Sequence, residues 1–434
     1  MKSYLCKTAR RPLNATVTVP GSKSITNRAL VTAALADGNS LLSGILLAED
    51  TRLMIAALGA LGIRITLDEK ACAAEITGCS GQLPASEATL FCGNSGTTIR
   101  FCTALVALGH GRYELDGIER LRERPIGGLT EMLETLGAGI EYLGKDRYPP
   151  LRVHASGLGG GHVSCRRVES SQLVSGLLMA APYATGDVFV DVLGSVTSAP
   201  YLRMTTAVMS AFGVTVIEQY DDTEAKFIIE SSQRYRGTAL AIEPDASNAT
   251  YFLAAAAVTG GRVTVEGLGT DSIQGDTRFV DLLERMGCTI ERHPTHLTVI
   301  GPPVGTRLKA IDVDLNDMPD TVQTLAVTAL FADGTTTIRN VGSLRVKETD
   351  RLVALSIELA KLGGVVEEFG DGLKIHPPVE LTPASIDTYN DHRMAMSFSL
   401  AGLRCSGIEI NDPQCCQKTF PDFFERFEGM LAAC

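Results

Sequence analysis

One stretch near the N-terminus combines the residue types that bind anions. It joins a short alternating strand to an apolar helix and reads Val19-Pro20-Gly21-Ser22-Lys23-Ser24-Ile25-Thr26-Asn27-Arg28. Pro20 and Gly21 end the strand, and the serine hydroxyls lie beside the first free N–H groups of the helix. Lys23 and Arg28 add charge at the positive end of the helix dipole. The stretch is therefore either an anion site or an ordinary serine-capped helix with two solvated cations.

Two series of glycines indicate that this strand, loop and helix recur along the chain. One series ends each predicted first helix and opens a strand, at spacings of 73 to 75 residues: Gly38, Gly111, Gly186, Gly261, Gly334 and Gly407. The other ends a second amphipathic helix, at spacings of 74 to 76 residues: Gly62, Gly137, Gly213, Gly287 and Gly363. Eleven glycines in phase point to repeated units, the sixth of them cut short.

Each unit is predicted to run strand, loop, helix, strand, loop, helix, strand, because the hydrophobic period switches between 2 and 3.6. Three units per domain and two domains is the natural division, with a linker near residues 231–237. We expect the sheets to face outward and apolar helices, such as residues 252–258, to be buried at each domain centre.

The starts of the predicted helices carry most of the polar groups that could do chemistry. Open helix starts are the usual ligand positions in α/β units. The cations at these starts are Lys23, Arg28, Arg124, Lys347, Arg351, Arg393 and Lys418. If these ends converge, they form a positive cleft in an acidic protein. Simpler interpretations stay open, since Ser170 and Ser171 can serve as a helix cap and Asp320 can be a first-turn helix acid.

Composition narrows the class of protein. The 434 residues are 45% hydrophobic and 21% charged, which predicts a globular chain of two or more domains. The net charge of −11 argues against nucleic acid as the main partner. The sequence has no run of about 18 apolar residues, so no membrane span is expected. The first seven residues lack an apolar signal core, which predicts a cytoplasmic protein.

Metal and cofactor motifs are absent from the sequence. The eleven cysteines include no CxxC pair, and the seven histidines are scattered, so neither a disulfide framework nor a metal site is expected. The glycine-rich stretch at residues 157–161 follows a strand but opens no helix, so it is a weak dinucleotide motif. We therefore expect no metal and no cofactor.

Eight segments together resemble the 5-enolpyruvylshikimate-3-phosphate synthase family, in the right order from about residue 13 to residue 428. They are VPGSKSITNRAL, GNSGTTIR, RERPIGGL, SSQL, IDVDLNDMPD, RVKETDRL, TYNDHRMAMSFSL and KTFPDFF. The resemblance implies an α/β fold of two domains, each an inside-out α/β barrel of three βαβαββ units, with the active site in the interdomain cleft. The expected domains are 21–237, on the shikimate 3-phosphate side, and 1–20 with 238–434.

The reaction implied is transfer of the enolpyruvyl group of phosphoenolpyruvate to the 5-hydroxyl of shikimate 3-phosphate, with release of phosphate. The resemblance assigns to shikimate 3-phosphate the residues Lys23, Ser24, Arg28, Ser170, Ser171, Gln172, Ser198, Tyr201, Asp320, Ser343 and Lys347. It assigns to phosphoenolpyruvate the residues Lys23, Gly96, Arg124, Gln172, Arg351, Arg393 and Lys418. For catalysis we expect Asp320 with Lys23 to accept the hydroxyl proton and Glu348 to deliver a proton to carbon.

Two positions depart from the family pattern. Ser343 stands where the family usually has an asparagine that contacts shikimate 3-phosphate. Phe101 replaces the proline that commonly follows Arg100, and we expect it to affect the tilt of the helix that begins near Gly96.

Three other functions fit the sequence less well. The sister transferase that acts on UDP-N-acetylglucosamine shares the fold and the donor, but it has a cysteine in the loop equivalent to residues 120–128, where this chain has none. A six-unit DNA clamp ring would show similar repeats without GSKS or KETDR at its helix starts, and an RNA-end cyclase would need a nucleotide site. The expected partners are therefore the two small substrates, and neither nucleic acid nor a membrane is expected. The enzyme is expected to be a monomer.

Overall fold

The structure is a computed structural model that describes residues 2–166, 170–194, 196–221 and 223–432. In chain order the strands are β1 Ser3–Leu5, β2 Asn14–Val17, β3 Asn39–Ser43, β4 Arg64–Asp68, β5 Ala73–Thr77, β6 Glu87–Phe91, β7 His110–Asp116, β8 Gly139–Tyr142, β9 Leu151–Ser156, β10 Gly161–Arg166, β11 Val188–Leu193, β12 Ile217–Tyr220, β13 Glu224–Ile229, β14 Ala239–Ala241, β15 Arg262–Glu266, β16 Thr289–Arg292, β17 His296–Ile300, β18 Leu308–Lys309, β19 Asp312–Asp314, β20 Ala332–Asp333, β21 Thr336–Arg339, β22 Val365–Phe369, β23 Gly372–His376, β24 Ser385–Ile386 and β25 Glu409–Asn411.

The α-helices lie between these strands. They are α1 Lys23–Leu35, α2 Glu49–Ala60, α3 Gly96–Val106, α4 Glu119–Arg122, α5 Gly127–Thr135, α6 Ser171–Ala180, α7 Ala199–Ala211, α8 Ala246–Thr259, α9 Phe279–Arg285, α10 Val322–Thr328, α11 Arg351–Lys361, α12 His392–Gly402 and α13 Phe423–Ala432. Short 3₁₀ helices cover Ala181–Tyr183, Gly275–Arg278, Pro319–Thr321, Ala329–Phe331, Gly342–Val346 and Pro413–Lys418.

The chain divides into two compact units. One is continuous, Gly21–Ile242, and the other combines Met1–Pro20 with Glu243–Cys434. The expected boundary after residue 237 was placed five residues too early, because β14 (Ala239–Ala241) pairs in parallel with β3 and belongs to the continuous unit. The predicted linker at residues 231–237 is also part of that unit, since Tyr235 is fully buried and its hydroxyl donates to the Met179 carbonyl at 2.9 Å.

Five four-stranded sheets share one strand order. Each has two parallel strands followed by two antiparallel ones, as in β6-β7-β9-β8 and β10-β11-β13-β12 of the continuous unit and β19-β21-β23-β22 of the other. The N-terminus supplies strands to the second unit: β2 pairs in parallel with β15, and β1 pairs antiparallel with β25. The order agrees with the glycine phase in the sequence, because each of these sheets takes its last three strands from one continuous stretch of chain.

Each unit has its own apolar core around central helices. In the continuous unit α3 packs against α6 and α1 packs against α7. In the other unit α8 packs against α10 and α12, and every residue of α8 is buried. This agrees with the expectation that residues 252–258 lie at a domain centre, because a helix that is apolar all round can only be covered on all sides.

The described helices include none that is long and apolar enough to cross a lipid bilayer. The ten cysteines in the described part of the chain are free thiols.

Candidate active site

The start of α1 holds a lysine against a buried carboxylate. Ser22 caps the helix by accepting a hydrogen bond from the Ile25 N–H at 3.4 Å. Lys23 is the first helical residue, and its Nζ lies 3.2 Å from Oδ2 of Asp50 on α2. The Lys23 side chain is only 12% exposed and that of Asp50 3%. The cation predicted to bind ligand is therefore held by an acid of the neighbouring helix.

Arg28 lies one turn further along α1 and is buried against neutral groups. Its Nε donates to Thr205 Oγ1 at 2.8 Å, and its Nη atoms donate to Ser175 Oγ and to the carbonyls of Ser24 and Tyr201 at 3.0–3.3 Å. Arg28 forms no ion pair with the residues that the structure describes. Burial therefore lowers the pKa of this guanidinium to about 10.

Phe101 lies directly beside that guanidinium. Its ring centroid is 5.3 Å from the Arg28 Cζ, and the ring is fully buried. Phe101 is the sixth residue of α3, which runs without a break from Gly96 to Val106. An aromatic face stabilises a buried cation without neutralising its charge. The residue that departs from the family pattern thus contacts a predicted substrate-binding arginine.

The start of α3 brings Gly96 next to Arg124. Ser95 caps the helix, accepting from the Thr98 N–H at 3.2 Å. Arg124 is 3% exposed, and its Nη1 donates to the Asn94 carbonyl at 3.0 Å. The buried Nε of Arg124 has no hydrogen-bond partner among the described residues. A buried guanidinium N–H without an acceptor is rare, and a ligand oxygen would satisfy it.

A hydrogen-bonded row links α3 to the start of α6. Ser170 caps α6 by accepting from the Gln172 N–H at 3.3 Å, so its role as a helix cap is real. The Gln172 side chain accepts from Arg100 Nη1 at 2.7 Å and donates to Thr97 at 3.0 Å. Ser171 is the first residue of the same helix. These contacts fix the side-chain amide of Gln172, the residue that the family resemblance assigns to both substrates.

Ser198 and Tyr201 lie at the start of α7. Ser198 has φ 58° and ψ 46°, the left-handed conformation, and its side chain makes no capping bond. Its carbonyl accepts from the Tyr201 N–H at 2.9 Å. A non-glycine residue held in this region is uncommon and often marks a functional position. Because the Ser198 hydroxyl makes no capping hydrogen bond, it does not serve as the N-cap of α7.

In the second unit Asp320 is surrounded by cations. Its carboxylate lies 3.2 Å from Arg351 Nη1, 2.9 Å from Arg393 Nη2 and 3.9 Å from Lys347 Nζ. The Arg393 guanidinium also donates to the Asp320 carbonyl at 3.1 Å. Cations from two predicted helix starts, Lys347 and Arg351 from one and Arg393 from the other, thus meet at one carboxylate.

Arg351 connects Asp320 to Glu348. The Arg351 Nη2 lies 3.0 Å from the Glu348 carboxylate, whose other oxygen is 3.8 Å from Lys418 Nζ. Arg351 also binds Asp391 at 2.7 Å through Nε. Burial opposes the charge of Arg351, but Asp391, Glu348 and Asp320 outweigh it and raise its pKa. The cations of this unit therefore alternate with carboxylates, whereas the sequence predicted helix starts that form a positive cleft.

Ser343 lies in the short helix Gly342–Val346, and its buried Oγ has no hydrogen-bond partner among the described residues. It therefore has a free donor and acceptor for a ligand.

Four acidic or basic residues of the site were not among those predicted from the sequence. Asp50 pairs with Lys23, Arg100 holds Gln172, Asp391 holds Arg351, and Asp276 is buried against Ser247. Asp50 lies in the first turn of α2 and Asp276 in the short helix Gly275–Arg278, whereas Arg100 ends the motif GNSGTTIR and Asp391 lies in the motif TYNDHRMAMSFSL. Their positions were visible in the sequence, but their partners depend on which helices pack together.

Asp276 is a buried carboxyl whose pKa is influenced by the charges of Asp320 and Arg393. It is 3% exposed and accepts from Ser247 Oγ at 2.5 Å. Burial, followed by the charge of Asp320, raises its pKa from 3.8 to about 6, although Ser247 and Arg393 act in the opposite direction. The folded state binds the Asp276 proton more tightly than the unfolded state does. The stability that the protonated Asp276 carboxyl contributes is therefore fully present below about pH 4 and is lost as the pH rises through 6.

Asp276→Asn is therefore expected to stabilise the protein at pH 8 by up to about 3 kcal/mol, a gain that vanishes near pH 4. Denaturant unfolding at both pH values measures the difference from wild type. Asp271→Asn, at an exposed site nearby, is the control and should show no such pH dependence. A gain of equal size at both pH values would contradict the assignment.

Within the described residues, no group of three or more histidine, cysteine, aspartate or glutamate side chains is arranged to hold a metal ion. The positions that could hold a ligand are instead lysines, arginines and hydroxyls at helix N-termini, which suit phosphate and carboxylate groups.

Fold and site together define an α/β protein with lysines and arginines at helix N-termini, an arrangement that suits anionic ligands. The family described as EPSP synthase (3-phosphoshikimate 1-carboxyvinyltransferase) matches residues 7–427. The chain is 49% identical over 421 residues to a 3-phosphoshikimate 1-carboxyvinyltransferase of Nostoc punctiforme, with 97% of each chain covered. It is 47% identical over 431 residues to the chloroplastic enzyme of Arabidopsis thaliana, covering 96% of this chain and 82% of that one.

A solved EPSP synthase structure from Acinetobacter baumannii superposes with a TM-score of 0.80 at 26% identity, covering 99% of this chain and 97% of that chain. This chain belongs to the EPSP synthase family.

Proposed function

We propose that this chain transfers the enolpyruvyl group of phosphoenolpyruvate to the 5-hydroxyl of shikimate 3-phosphate and releases phosphate. Both substrates carry a phosphate and a carboxylate. The observation that carries the proposal is Arg351, which is shared by the two carboxylates expected to move protons, Asp320 at 3.2 Å and Glu348 at 3.0 Å. Substrate anions that bind the same cations compete directly with these acids.

This competition supplies a route to activation. Without substrate, Asp320 is held by Arg351, Arg393 and Lys347, so its electron pairs are engaged. When phosphoenolpyruvate binds Arg351 and Arg393, Asp320 loses part of that stabilisation and becomes a better proton acceptor. The same anion beside Glu348 favours its protonated form, which is the form a general acid needs.

The addition step then forms one C–O bond and moves two protons. The 5-hydroxyl oxygen bonds to C2 of phosphoenolpyruvate while its proton passes to Asp320, assisted by Lys23. Glu348 gives its proton to C3, which becomes a methyl group, so the intermediate is tetrahedral at C2. In the elimination step the C2–O bond to phosphate breaks, the proton held by Asp320 passes to the departing phosphate, Glu348 takes back a methyl proton, and the double bond reforms. Cations stabilise the departing phosphate.

We propose that the shikimate 3-phosphate ligands lie mainly in Gly21–Ile242, as Lys23, Ser24, Arg28, Ser170, Ser171, Gln172, Ser198 and Tyr201, with Asp320, Ser343 and Lys347 from the second unit. The phosphoenolpyruvate ligands are Lys23, Gly96, Arg124, Gln172, Arg351, Arg393 and Lys418. Support comes from polar atoms that are buried without a partner in the described chain, Arg124 Nε and Ser343 Oγ. The unpaired charge of Arg28 supports the same assignment, because it suits a substrate carboxylate.

A phosphate-release assay tests the activity. With shikimate 3-phosphate and phosphoenolpyruvate, and with neither metal nor ATP added, we expect one phosphate per enolpyruvyl product formed. UDP-N-acetylglucosamine in place of shikimate 3-phosphate should release none. Phosphate release from phosphoenolpyruvate with UDP-N-acetylglucosamine but not with shikimate 3-phosphate would instead support the sister transferase. Phosphate release from phosphoenolpyruvate without any acceptor would contradict both transferase activities.

We also propose the finer architecture, an inside-out α/β barrel of three βαβαββ units in each domain, and a monomer that works in the cytoplasm. The common order of five sheets supports the repeat. Every assigned ligand comes from one polypeptide, so the reaction needs no second copy. Light scattering coupled to size-exclusion chromatography measures the oligomeric state, and a dimer that persists on dilution would contradict the monomer.

Gly96→Ala is expected to weaken phosphoenolpyruvate binding. A Cβ at residue 96 would lie 2.5 Å from Arg124 Nη2 and 3.1 Å from Arg100 Nη1, so the Arg124 guanidinium must move. Overpacking of about 1–3 kcal/mol corresponds to an increase in the Michaelis constant for phosphoenolpyruvate of about 5- to 150-fold. The constant for shikimate 3-phosphate should change by less than about threefold, because the clash is with a phosphoenolpyruvate ligand.

Gly59→Ala is the matched control for that experiment. Gly59 lies in α2, and a Cβ there would meet no atom within 4 Å. Its kinetics should equal those of wild type. The family resemblance also implies inhibition by glyphosate. Because glyphosate is longer than phosphoenolpyruvate, its inhibition constant should rise by a larger factor in Gly96→Ala. Equal factors for the two ligands would show that Gly96 does not discriminate between them.

A further inference from the structure

The loop that leads into α12 is held in an unfavourable backbone conformation. Tyr389 has φ 55° and Asn390 has φ 53°, so two consecutive non-glycine residues are left-handed. Such residues persist only where their surroundings hold them, and a bulky residue such as tyrosine is the more costly of the two. The next residue is Asp391, which caps α12 by accepting from the Arg393 N–H at 2.9 Å and is fully buried.

A buried carboxylate on α11 holds this loop. Glu358 is fully buried, and it accepts from the Tyr389 hydroxyl at 2.7 Å and from the Asp387 N–H at 3.0 Å. Lys361 lies 2.8 Å from both Glu358 and the Asp387 carboxylate and balances the charge. Burial, followed by the bond to Glu358, raises the pKa of Tyr389, so its hydroxyl remains a donor.

The same helix grips the loop at a second point. Arg351 begins α11 and binds Asp391 through Nε at 2.7 Å and through Nη2 at 3.2 Å. Glu358 follows seven residues later, which is two helical turns, so both side chains project from the same face of α11. The loop from Asp387 to Asp391 is therefore fastened to α11 at both of its ends.

We propose that Glu358 and Tyr389 are positioning residues for phosphoenolpyruvate: by holding the left-handed loop they place Asp391, and Asp391 places Arg351 and Arg393. The inference rests on the proposed function, in which these two arginines bind phosphoenolpyruvate. Neither Glu358 nor Tyr389 needs to touch substrate. Glu358 was not among the residues selected from the sequence, and Tyr389 lies in a motif that gave it no role.

Tyr389→Phe and Glu358→Gln test the clamp in the full-length enzyme. Loss of one hydrogen bond to a charged group is expected to raise the Michaelis constant for phosphoenolpyruvate by about 10-fold or more. The constant for shikimate 3-phosphate should rise by a clearly smaller factor, because among its proposed ligands only Asp320 and its neighbour Lys347 adjoin the arginines that Asp391 places. If Glu358→Gln does not fold, Tyr389→Phe, at a partly exposed site, carries the test.

Rescue separates positioning from general stability. Asn390→Gly makes the left-handed conformation less costly, so adding it to Tyr389→Phe should recover about 2- to 5-fold of the lost phosphoenolpyruvate affinity. Asn340→Gly is the matched control, because Asn340 is a left-handed asparagine of the same unit, with φ 59°, that lies outside the loop. It should rescue nothing.

Three results would overturn the clamp: unchanged constants in Tyr389→Phe, equal increases for both substrates, or equal rescue by the two glycine substitutions. The failure of the proposed function is distinct, since wild-type enzyme would then release no phosphate from the two substrates.

Discussion

Asp320→Asn is expected to lower kcat by about 100-fold or more while shikimate 3-phosphate still binds. Asparagine keeps the size and the hydrogen-bonding capacity of the side chain but cannot accept the hydroxyl proton. It also removes a negative charge that contacts Arg393 at 2.9 Å and Arg351 at 3.2 Å. The Michaelis constant for phosphoenolpyruvate should therefore stay the same or fall, because a competing carboxylate is gone.

Single-turnover kinetics and calorimetric titration of shikimate 3-phosphate measure the two effects separately. Asp317→Asn is the matched control, three residues upstream, where the aspartate is 46% exposed and pairs only at the surface with Arg278. It should leave kcat within about twofold of wild type, as surface pairs contribute little. If Asp320→Asn lost binding but kept single-turnover chemistry, Asp320 would hold substrate rather than take its proton.

Lys23→Met should reduce kcat/KM by roughly 1,000-fold, because the ammonium acts on phosphate charge in both the ground state and the transition state. Both kcat and the Michaelis constant for phosphoenolpyruvate should change. The substitution also leaves the Asp50 carboxylate, only 3% exposed, without its Lys23 partner at 3.2 Å. Breaking a buried pair in this way costs about 3–5 kcal/mol of stability.

The double variant Lys23→Met with Asp50→Asn separates activity from stability. It removes both charges, so thermal unfolding should return towards wild type, while the activity should stay low. Recovery of activity together with stability would show that Lys23 acts only by supporting the fold.

The local features of the site could be predicted from sequence because they depend on neighbouring residues. Ser22 caps α1, Ser170 caps α6, and the glycine phase matches the sheets. Their signals lie within a few residues of one another, where backbone geometry leaves few choices. The roles assigned to individual ligands remain predictions.

What the sequence could not supply was the partner of each charge. Arg28 appeared as a solvated or ligand-binding cation, yet it is buried among neutral acceptors from α6 and α7. Asp391 appeared as one acid in a motif, yet it fixes an arginine 40 residues earlier in the chain. These pairings depend on which helices pack together, and no local pattern encodes that.

The domain boundary was misplaced for a related reason. The linker was predicted at residues 231–237, but Ala239–Ala241 still belongs to the continuous unit, where it completes a sheet whose other strands lie between residues 39 and 77. A short strand of three residues has too little periodicity to be distinguished from a loop.

The way the N-terminal strands join the second unit has a consequence for synthesis on the ribosome. Gly21–Ile242 is complete once residue 242 has emerged, so it can fold while the remainder of the chain is still being translated. The first twenty residues must wait longer, since β2 pairs with Arg262–Glu266 and β1 pairs with Glu409–Asn411. A nascent chain that stalls before residue 409 therefore keeps β1 without its β25 partner, although β1 itself was translated about 400 residues earlier.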